Sequence, residues 1–283
     1  MDKSLLIAAC LVLLWLLESR APIRTHGNHK LTHAGINLGF GLVNGGIGIG
    51  LASFVLWQLD SWIQANQIGL LHTLSLPATL EWLLALLLFD AWQYTWHRLN
   101  HRVPLLWQFH AVHHCDAHMD ASTALRFHPG EILLSFTARL MVLPLLGMSL
   151  EQLLLYELIA LPIIFLHHSN TRLPRALDSL LSPLIVTPSI HWVHHSRDYS
   201  DLNSNYASVL SLWDRLFSSA TRRSDTAAIA LGLDASLTDD SSSLRKQWLM
   251  PFAAYSSNDP VANDAKSKNT EQRSQTTQPN RAE

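Results

Sequence analysis

The sequence predicts an all-α integral membrane protein with about four to five membrane-embedded helices and a histidine-rich helical cap. Of its 283 residues, 48% are hydrophobic and only 15% are charged, whereas a typical soluble domain carries roughly 25% charged residues. The hydrophobic residues are gathered in long runs, as membrane helices require. Histidine is the third observation, because twelve of the sixteen histidines lie between His97 and His195.

Charge and cysteine content exclude several other classes of protein. The formal net charge is −2, from 20 basic and 22 acidic residues, so the chain lacks the basic excess of a nucleic-acid-binding protein. A disordered chain would combine low hydrophobicity with high net charge. This chain has neither property, so a wholly disordered protein is also excluded. A disulfide between Cys10 and Cys115 is not expected, because Cys10 lies within an apolar run.

Five apolar stretches account for the predicted membrane helices. They are Leu5–Leu17, Gly35–Leu59, about Leu74–Trp96, about Ile132–Leu146 and about Leu153–Leu166. The first is short for a span, which needs about 17–25 residues, and it resembles the apolar region of a signal peptide. Because no A-x-A-like cleavage site follows it, an uncleaved first helix or half of a hairpin is favoured over a signal peptide. The glycine-rich second stretch is long enough to span. The turn at Gly147 predicts a helical hairpin from the last two stretches.

Basic residues alternate between the connections of this layout. The connection 60–73 and the turn near Gly147 hold no lysine or arginine. The other three connections hold Arg20, Arg24 and Lys30, then Arg98, Arg102 and Arg126, then Arg172, Arg175 and Arg197. The positive-inside rule therefore predicts a multi-pass protein with its histidine clusters on the cytoplasmic side.

The same reading divides the chain into four parts. Residues 1–96 are expected to form the N-terminal transmembrane helices, and residues 97–220 a catalytic cap that includes the membrane hairpin at about 132–166. Residues 221–255 form a C-terminal cap segment. The polar tail 256–283 lacks an apolar period and is expected to be disordered.

Histidines recur in three motifs whose spacing suits metal binding. The first is an H-x-x-x-H pair and the other two share the pattern H-x-x-H-H; their members are His97 and His101, then His110, His113 and His114, then His191, His194 and His195. Residues three or four apart share a helix face, whereas adjacent rings diverge by about 100° and are able to serve different ions. With His128 and the His167–His168 pair nearby, the array exceeds one site and predicts two metals. Imidazole ligands suit Fe, Zn, Cu and Ni alike.

Other polar residues are given different roles. Isolated histidines at a membrane boundary are expected to be hydrogen-bonded polar residues rather than ligands: His26, His29, His33, His72 and His118. Metal-bound histidines usually donate their second N–H to an acceptor. Asp90, two helical turns before His97 and costly inside an apolar helix, is the leading carboxylate for this role. Asp116, Asp120, Glu131 and Asp198 are further candidates, and Asn170 is a candidate for a water-mediated metal contact.

These motifs, in this order, resemble the fatty acid hydroxylase, or sterol desaturase, superfamily of membrane di-iron oxygenases. The resemblance covers roughly residues 89–217, from Trp-His-Arg-Leu-Asn-His at 96–101 through Arg-Phe-His-Pro at 126–129 and Phe-Leu-His-His-Ser-Asn at 165–170 to Trp-Asp-Arg-Leu-Phe at 213–217. It implies two iron ions, O₂ as co-substrate, two electrons and a lipid C–H bond as the target. The implied ligands are His97, His101, His110, His113, His114, His128, His168, His191, His194 and His195. His128 matches the Arg-x-His-Pro position of the family, and His167 is an alternative to His168. Ala207 and Ser218 stand where the family usually has glycine.

The chemistry of the residues agrees with that resemblance. An unactivated C–H bond has no acidic proton, so a redox metal must carry the difficult step. Without a haem-attachment motif or a dinucleotide fingerprint, the chain is expected to receive electrons from a separate reductase of cytochrome or ferredoxin type. Two other functions remain open here, a di-zinc lipid hydrolase and a non-enzymatic membrane metal-binding protein. Hydroxylation and desaturation are both compatible with the sequence.

Overall fold

Helices form the whole regular structure of the described chain. The computed structural model describes residues 3–25, 30–48, 50, 53–233 and 243–252, and within these ranges β-structure is limited to isolated bridges such as Pro22 with Thr171. The predicted all-α class is confirmed. The predicted disordered tail, and His26 and His29, lie outside the described residues.

Thirteen α-helices follow one another along these ranges. They are α1 (Lys3–Arg20), α2 (Lys30–Ile47), α3 (Ser53–Asn66), α4 (Leu70–Leu74), α5 (Ala78–Arg102), α6 (Pro104–His114), α7 (Pro129–Leu146), α8 (Leu150–His168), α9 (Arg175–Leu181), α10 (Pro188–His194), α11 (Tyr199–Leu202), α12 (Leu212–Leu216) and α13 (Leu244–Leu249). Short 3-10 helices cover Ala121–Leu125, Thr226–Ala228 and Met250–Phe252.

Two of the described helices, α7 and α8, are long and apolar enough to cross a membrane. They form the predicted hairpin, which turns at Gly147. This glycine has a φ of 75° and ends α7 in the left-handed conformation that glycine adopts without strain. Ser149 then caps α8 by accepting from the Gln152 amide.

A third crossing is possible if α3–α4 and α5 together count as one bent span. The two parts meet at an angle of 88°. The stretch 35–59, expected as one span, is divided between α2 and α3. Glycines at 45, 46, 48 and 50 lie where α2 ends, and glycine is a poor helix former. The described part of the chain thus contains two membrane-capable helices, or three with the bent pair.

One apolar core holds the membrane-capable helices together. Ile63 of α3, Phe89 of α5, Leu143 of α7 and Tyr156 of α8 are buried members of it. Phe89 and Tyr156 contact edge to face, with ring centroids 4.9 Å apart. This packing fixes α5 and α8, both of which carry histidines at their C-terminal ends.

Proline residues set where the remaining histidine-bearing helices begin. Pro104 starts α6 two residues after α5 ends, and Pro188 starts α10. Proline suits the first turn of a helix, where its missing N–H costs no hydrogen bond. The short connection at Val103 folds α6 back beside α5, so the histidines of these two helices face each other.

Candidate metal centre

Nine histidines from four helices and one helix end converge in the interior as two adjoining groups. The first group, here the five-histidine group, is His97, His101, His110, His114 and His194. The second, the four-histidine group, is His113, His168, His191 and His195. Within each group one nitrogen from every ring lies within 4.8 Å of the others.

Each H-x-x-H-H motif divides between the two groups. His114 belongs to the five-histidine group and its neighbour His113 to the four-histidine group; His194 and His195 divide in the same way. The divergence of adjacent rings on a helix brings this about. The groups touch where the rings of His114 and His195 stack, 4.3 Å between centroids.

Backbone carbonyls orient the rings. The Nδ1 atoms of His97 and His194 lie 2.8 and 2.6 Å from the carbonyl oxygens of Tyr206 and Ser204. In the four-histidine group, Nδ1 of His113 lies 3.1 Å from the Arg126 carbonyl and Nδ1 of His168 lies 2.7 Å from the Ile164 carbonyl. A carbonyl only accepts, so Nδ1 of each ring carries the hydrogen. In the neutral imidazole, Nε2 is therefore an unprotonated acceptor.

The Nε2 atoms crowd together in a way that suits a bound cation. Nε2 of His97 lies 3.0 Å from Nε2 of His194, and Nε2 of His113 lies 3.0 Å from Nε2 of His168. Neither pair is able to form a hydrogen bond, because both nitrogens of each pair are acceptors. Two imidazole nitrogens bound at about 2.1 Å and at right angles to one ion would be about 3.0 Å apart. The donor sets therefore fit bound metal ions.

Burial keeps these imidazoles neutral. It lowers the pKa of His113, His114, His191 and His195 well below the usual value, and neighbouring histidines lower them further. The pKa of His194 falls to about 3, again through burial. Neutral imidazole is the form that binds a metal. The Nε2 atom of His101 is buried without a hydrogen-bond partner, as an atom reserved for an ion would be.

Comparison with known proteins agrees with this geometry. The family model described as fatty acid hydroxylase matches residues 82–219, which include all nine histidines. Residues 82–219, just under half of the chain, are therefore similar to the fatty acid hydroxylase family. Its relatives include alkylglycerol monooxygenase of Danio rerio (32% identity over 54% of this chain) and ornithine lipid hydroxylase OlsE of Rhizobium tropici (32% over 50%). Human cholesterol 25-hydroxylase is 28% identical over 47%.

The chain spans only part of the length of these relatives. It covers 34% of the alkylglycerol monooxygenase, 41% of the ornithine lipid hydroxylase and 48% of the cholesterol 25-hydroxylase. No solved structure matches the chain. The family match, at residues 82–219, covers the region that carries the histidines.

Two predicted or alternative ligands, His128 and His167, lie outside both groups. His128 caps α7: its Nδ1 accepts from the Gly130 amide, and its Nε2 is 3.3 Å from the Trp248 carbonyl. Because its two ring nitrogens face the Gly130 amide and the Trp248 carbonyl, His128 does not join the nine histidines of the two groups. His167 packs against His191 with ring centroids 4.0 Å apart, but only its neighbour His168 belongs to the four-histidine group.

Asp90 and Asn170 connect parts of the scaffold. Asp90 accepts from the Tyr156 hydroxyl at 2.7 Å, the Leu210 amide at 3.1 Å and the Trp213 indole at 2.7 Å. The Asn170 side chain bonds the backbone of Arg24 through both its oxygen and its nitrogen. Asp90 therefore attaches the 210–213 segment to α5 and α8 rather than hydrogen bonding His97. Asn170 joins the segment after α1 to the end of α8.

Glu131 is the candidate carboxylate that does meet a histidine of the groups. Its Oε1 lies 2.8 Å from Nδ1 of His110. The sequence placed Glu131 among four secondary candidates, because no spacing rule relates a residue in α7 to one in α6. Asp198 instead caps α11 by accepting from Ser200.

A buried ionic network beside His113 was not foreseen. The Arg126 side chain is fully buried; its Nε donates to Asn37 at 2.7 Å and lies 3.6 Å from the Asp116 carboxylate. His33 lies 2.8 Å from Asp116 and 3.2 Å from Asp120. His33 is thus a partnered polar residue, as expected. The same Arg126 residue supplies the carbonyl that orients His113, so α2 supports the candidate metal centre from outside.

Proposed function

We propose that this protein is an O₂-dependent lipid oxygenase that holds two iron ions with the nine histidines of the two groups. The proposal is carried by one observation, the two adjoining groups of histidine nitrogens, each within 4.8 Å of the others in its group. Their all-nitrogen character is compatible with iron. The proposed ligands are His97, His101, His110, His114 and His194 for one ion and His113, His168, His191 and His195 for the other.

When bound, the two irons supply the redox chemistry with O₂ that removes hydrogen from an unactivated C–H bond. The chain holds the rings in place for this. The carbonyls of Tyr206, Ser204, Arg126 and Ile164 keep Nδ1 protonated and direct Nε2 inward. Eight of the nine histidines are buried and His97 is partly buried, which limits access of water to the centre.

We propose a lipid as the substrate, taken from the bilayer between the membrane helices. Support comes from the apolar helices α7 and α8 next to the centre, and from the relatives, whose names specify alkylglycerol, ornithine lipid and cholesterol. The distribution of arginine and lysine favours a cytoplasmic position for the histidines. A separate reductase of cytochrome or ferredoxin type would deliver the electrons from that side.

Lipid analysis of a strain lacking the gene, and of one complemented with it, tests this proposal. Hydroxylation predicts a lipid that is 16 Da heavier only when the active protein is present, and desaturation predicts one that is 2 Da lighter. Product formation is expected to require both O₂ and a reductant. Turnover without O₂ and reductant in a zinc-loaded protein would instead identify a hydrolase. Bound metal with no lipid change under any of these conditions would identify a non-enzymatic metal-binding protein.

A matched pair of variants connects that result to the metal centre. His113→Ala removes a proposed ligand and is expected to abolish the product while the protein still inserts into membranes. His72→Ala, on α4 and outside both groups, is expected to retain it. Iron should be restored before the assay, because zinc acquired during overexpression would lower activity in both variants.

A further inference from the structure

One of the oriented histidines has a partner of a different kind. His97, His113, His168 and His194 each face a backbone carbonyl through Nδ1. His110 instead faces the carboxylate of Glu131, at 2.8 Å. A carboxylate that accepts the Nδ1 hydrogen raises the basicity of the metal-binding nitrogen more than a neutral acceptor does.

The position of Glu131 is costly unless a cation lies nearby. The residue is 5% exposed, and its second oxygen, Oε2, is buried without a hydrogen-bond partner. Among the described residues, no lysine or arginine forms an ion pair with it. A buried carboxylate without such compensation is unfavourable.

The first turn of α7 only partly offsets this cost. A helix N-terminus stabilises negative charge, and Glu131 lies in that turn. A side chain directed to solvent would gain the same benefit, so the turn does not explain why Glu131 is buried against His110. A metal ion bound at Nε2 of His110 would supply the positive charge that this carboxylate lacks.

We propose that Glu131 is a positioning residue that acts through His110 to tighten metal binding in the five-histidine group alone. This inference rests on the proposed function, because it takes the nine histidines as ligands of two ions. The negative charge of Glu131 then makes the two ions unequal in affinity. No histidine of the four-histidine group has a carboxylate on its Nδ1 among the described contacts.

Chelator titration of the purified, iron-loaded full-length protein tests this. Glu131→Gln keeps an amide oxygen able to accept from Nδ1 but removes the charge, and Glu131→Ala removes both. Loss of an outer partner typically costs tenfold to a hundredfold in metal affinity. We therefore expect Glu131→Gln to release one ion per chain at a chelator concentration about 10–100-fold lower than wild type. The second ion should be released at the wild-type concentration, and Glu131→Ala should behave like Glu131→Gln or worse.

Glu81→Gln is the matched control. Glu81 lies in the first turn of α5 and accepts from Gln152, away from both groups, so its titration should coincide with wild type. The inference is overturned if Glu131→Gln also coincides with wild type, or if both ions shift together, as general loosening of the fold would cause. Failure of the proposed function looks different, because wild type itself would then hold fewer than two ions or form no O₂-dependent product.

Discussion

Adjacent histidines at the end of α8 provide the most direct test of the metal centre. Nε2 of His168 lies 3.0 Å from Nε2 of His113 and 3.0 Å from Nε2 of His191. His168→Ala would leave three histidines in the four-histidine group. His167→Ala would leave both groups complete, since the structure places His167 outside them.

The expected difference in metal affinity is large. Losing even an outer partner of a ligand costs about 10–100-fold in metal affinity, so removing a ligand should cost more than about a hundredfold for one of the two ions. The His167→Ala protein should bind both ions within a few-fold of wild type. Both side chains are buried, at 2% and 3% exposure, so the two variants create similar cavities and should lose similar packing stability.

The assay is metal content per chain after dialysis against a weak chelator, with thermal unfolding measured on the same samples. His168→Ala should retain one ion and His167→Ala two, at comparable unfolding temperatures of the metal-free proteins. The reasoning would be refuted if His167→Ala lost an ion while His168→Ala kept both. It would also be refuted if the two variants retained the same amount of metal.

Three further predictions concern residues around the centre. His128→Ala should still bind two ions, because both His128 nitrogens are directed away from the groups; loss of an ion would return His128 to the ligand set. Asp90→Ala should lower the free energy of unfolding in detergent by about 3 kcal/mol or more, since at least three buried donors lose their acceptor; unchanged stability would contradict this role. Burial lowers the pKa of His33, but Asp116 and Asp120 outweigh it and raise this pKa to about 10 from an ordinary 6.5. Because the folded-state pKa is the higher one, the stabilisation is complete below about pH 6.5 and is lost as the pH rises through about 10. The free energy of unfolding, measured by denaturation at several pH values between 6.5 and 10, should therefore decline with rising pH in the wild type but not in His33→Gln.

The helical fold follows largely from local sequence. The apolar stretches after Ile132 and Leu153, separated by Gly147, predicted the α7–α8 hairpin because length, hydrophobicity and a left-handed turn are properties of contiguous residues. The division of 35–59 into α2 and α3 was not predicted. Apolar composition alone favoured a continuous span, whereas the clustered glycines weaken the helix where α2 ends.

The roles of acidic residues were harder to predict. Asp90 was expected to be partnered, and it is, because a carboxylate in an apolar helix needs donors whatever the fold. Its actual donors come from α8 and from residues 210–213, far away in sequence. Spacing along α5 pointed to His97, but helix periodicity describes one face of one helix and carries no information about what packs on that face.

The sequence by itself determined that the histidines would lie in sets on shared helix faces. It also determined that adjacent rings would point into different sets. The spacing in His110–His114 and His191–His195 fixes ring directions through the geometry of a single helix turn. Only the tertiary structure decided that His168 rather than His167 joins a group, that His128 caps a helix, and that Glu131 meets His110. Those outcomes depend on how α6, α7, α8 and α10 pack together, and a shift of one residue along any of these helices turns a side chain by about 100°.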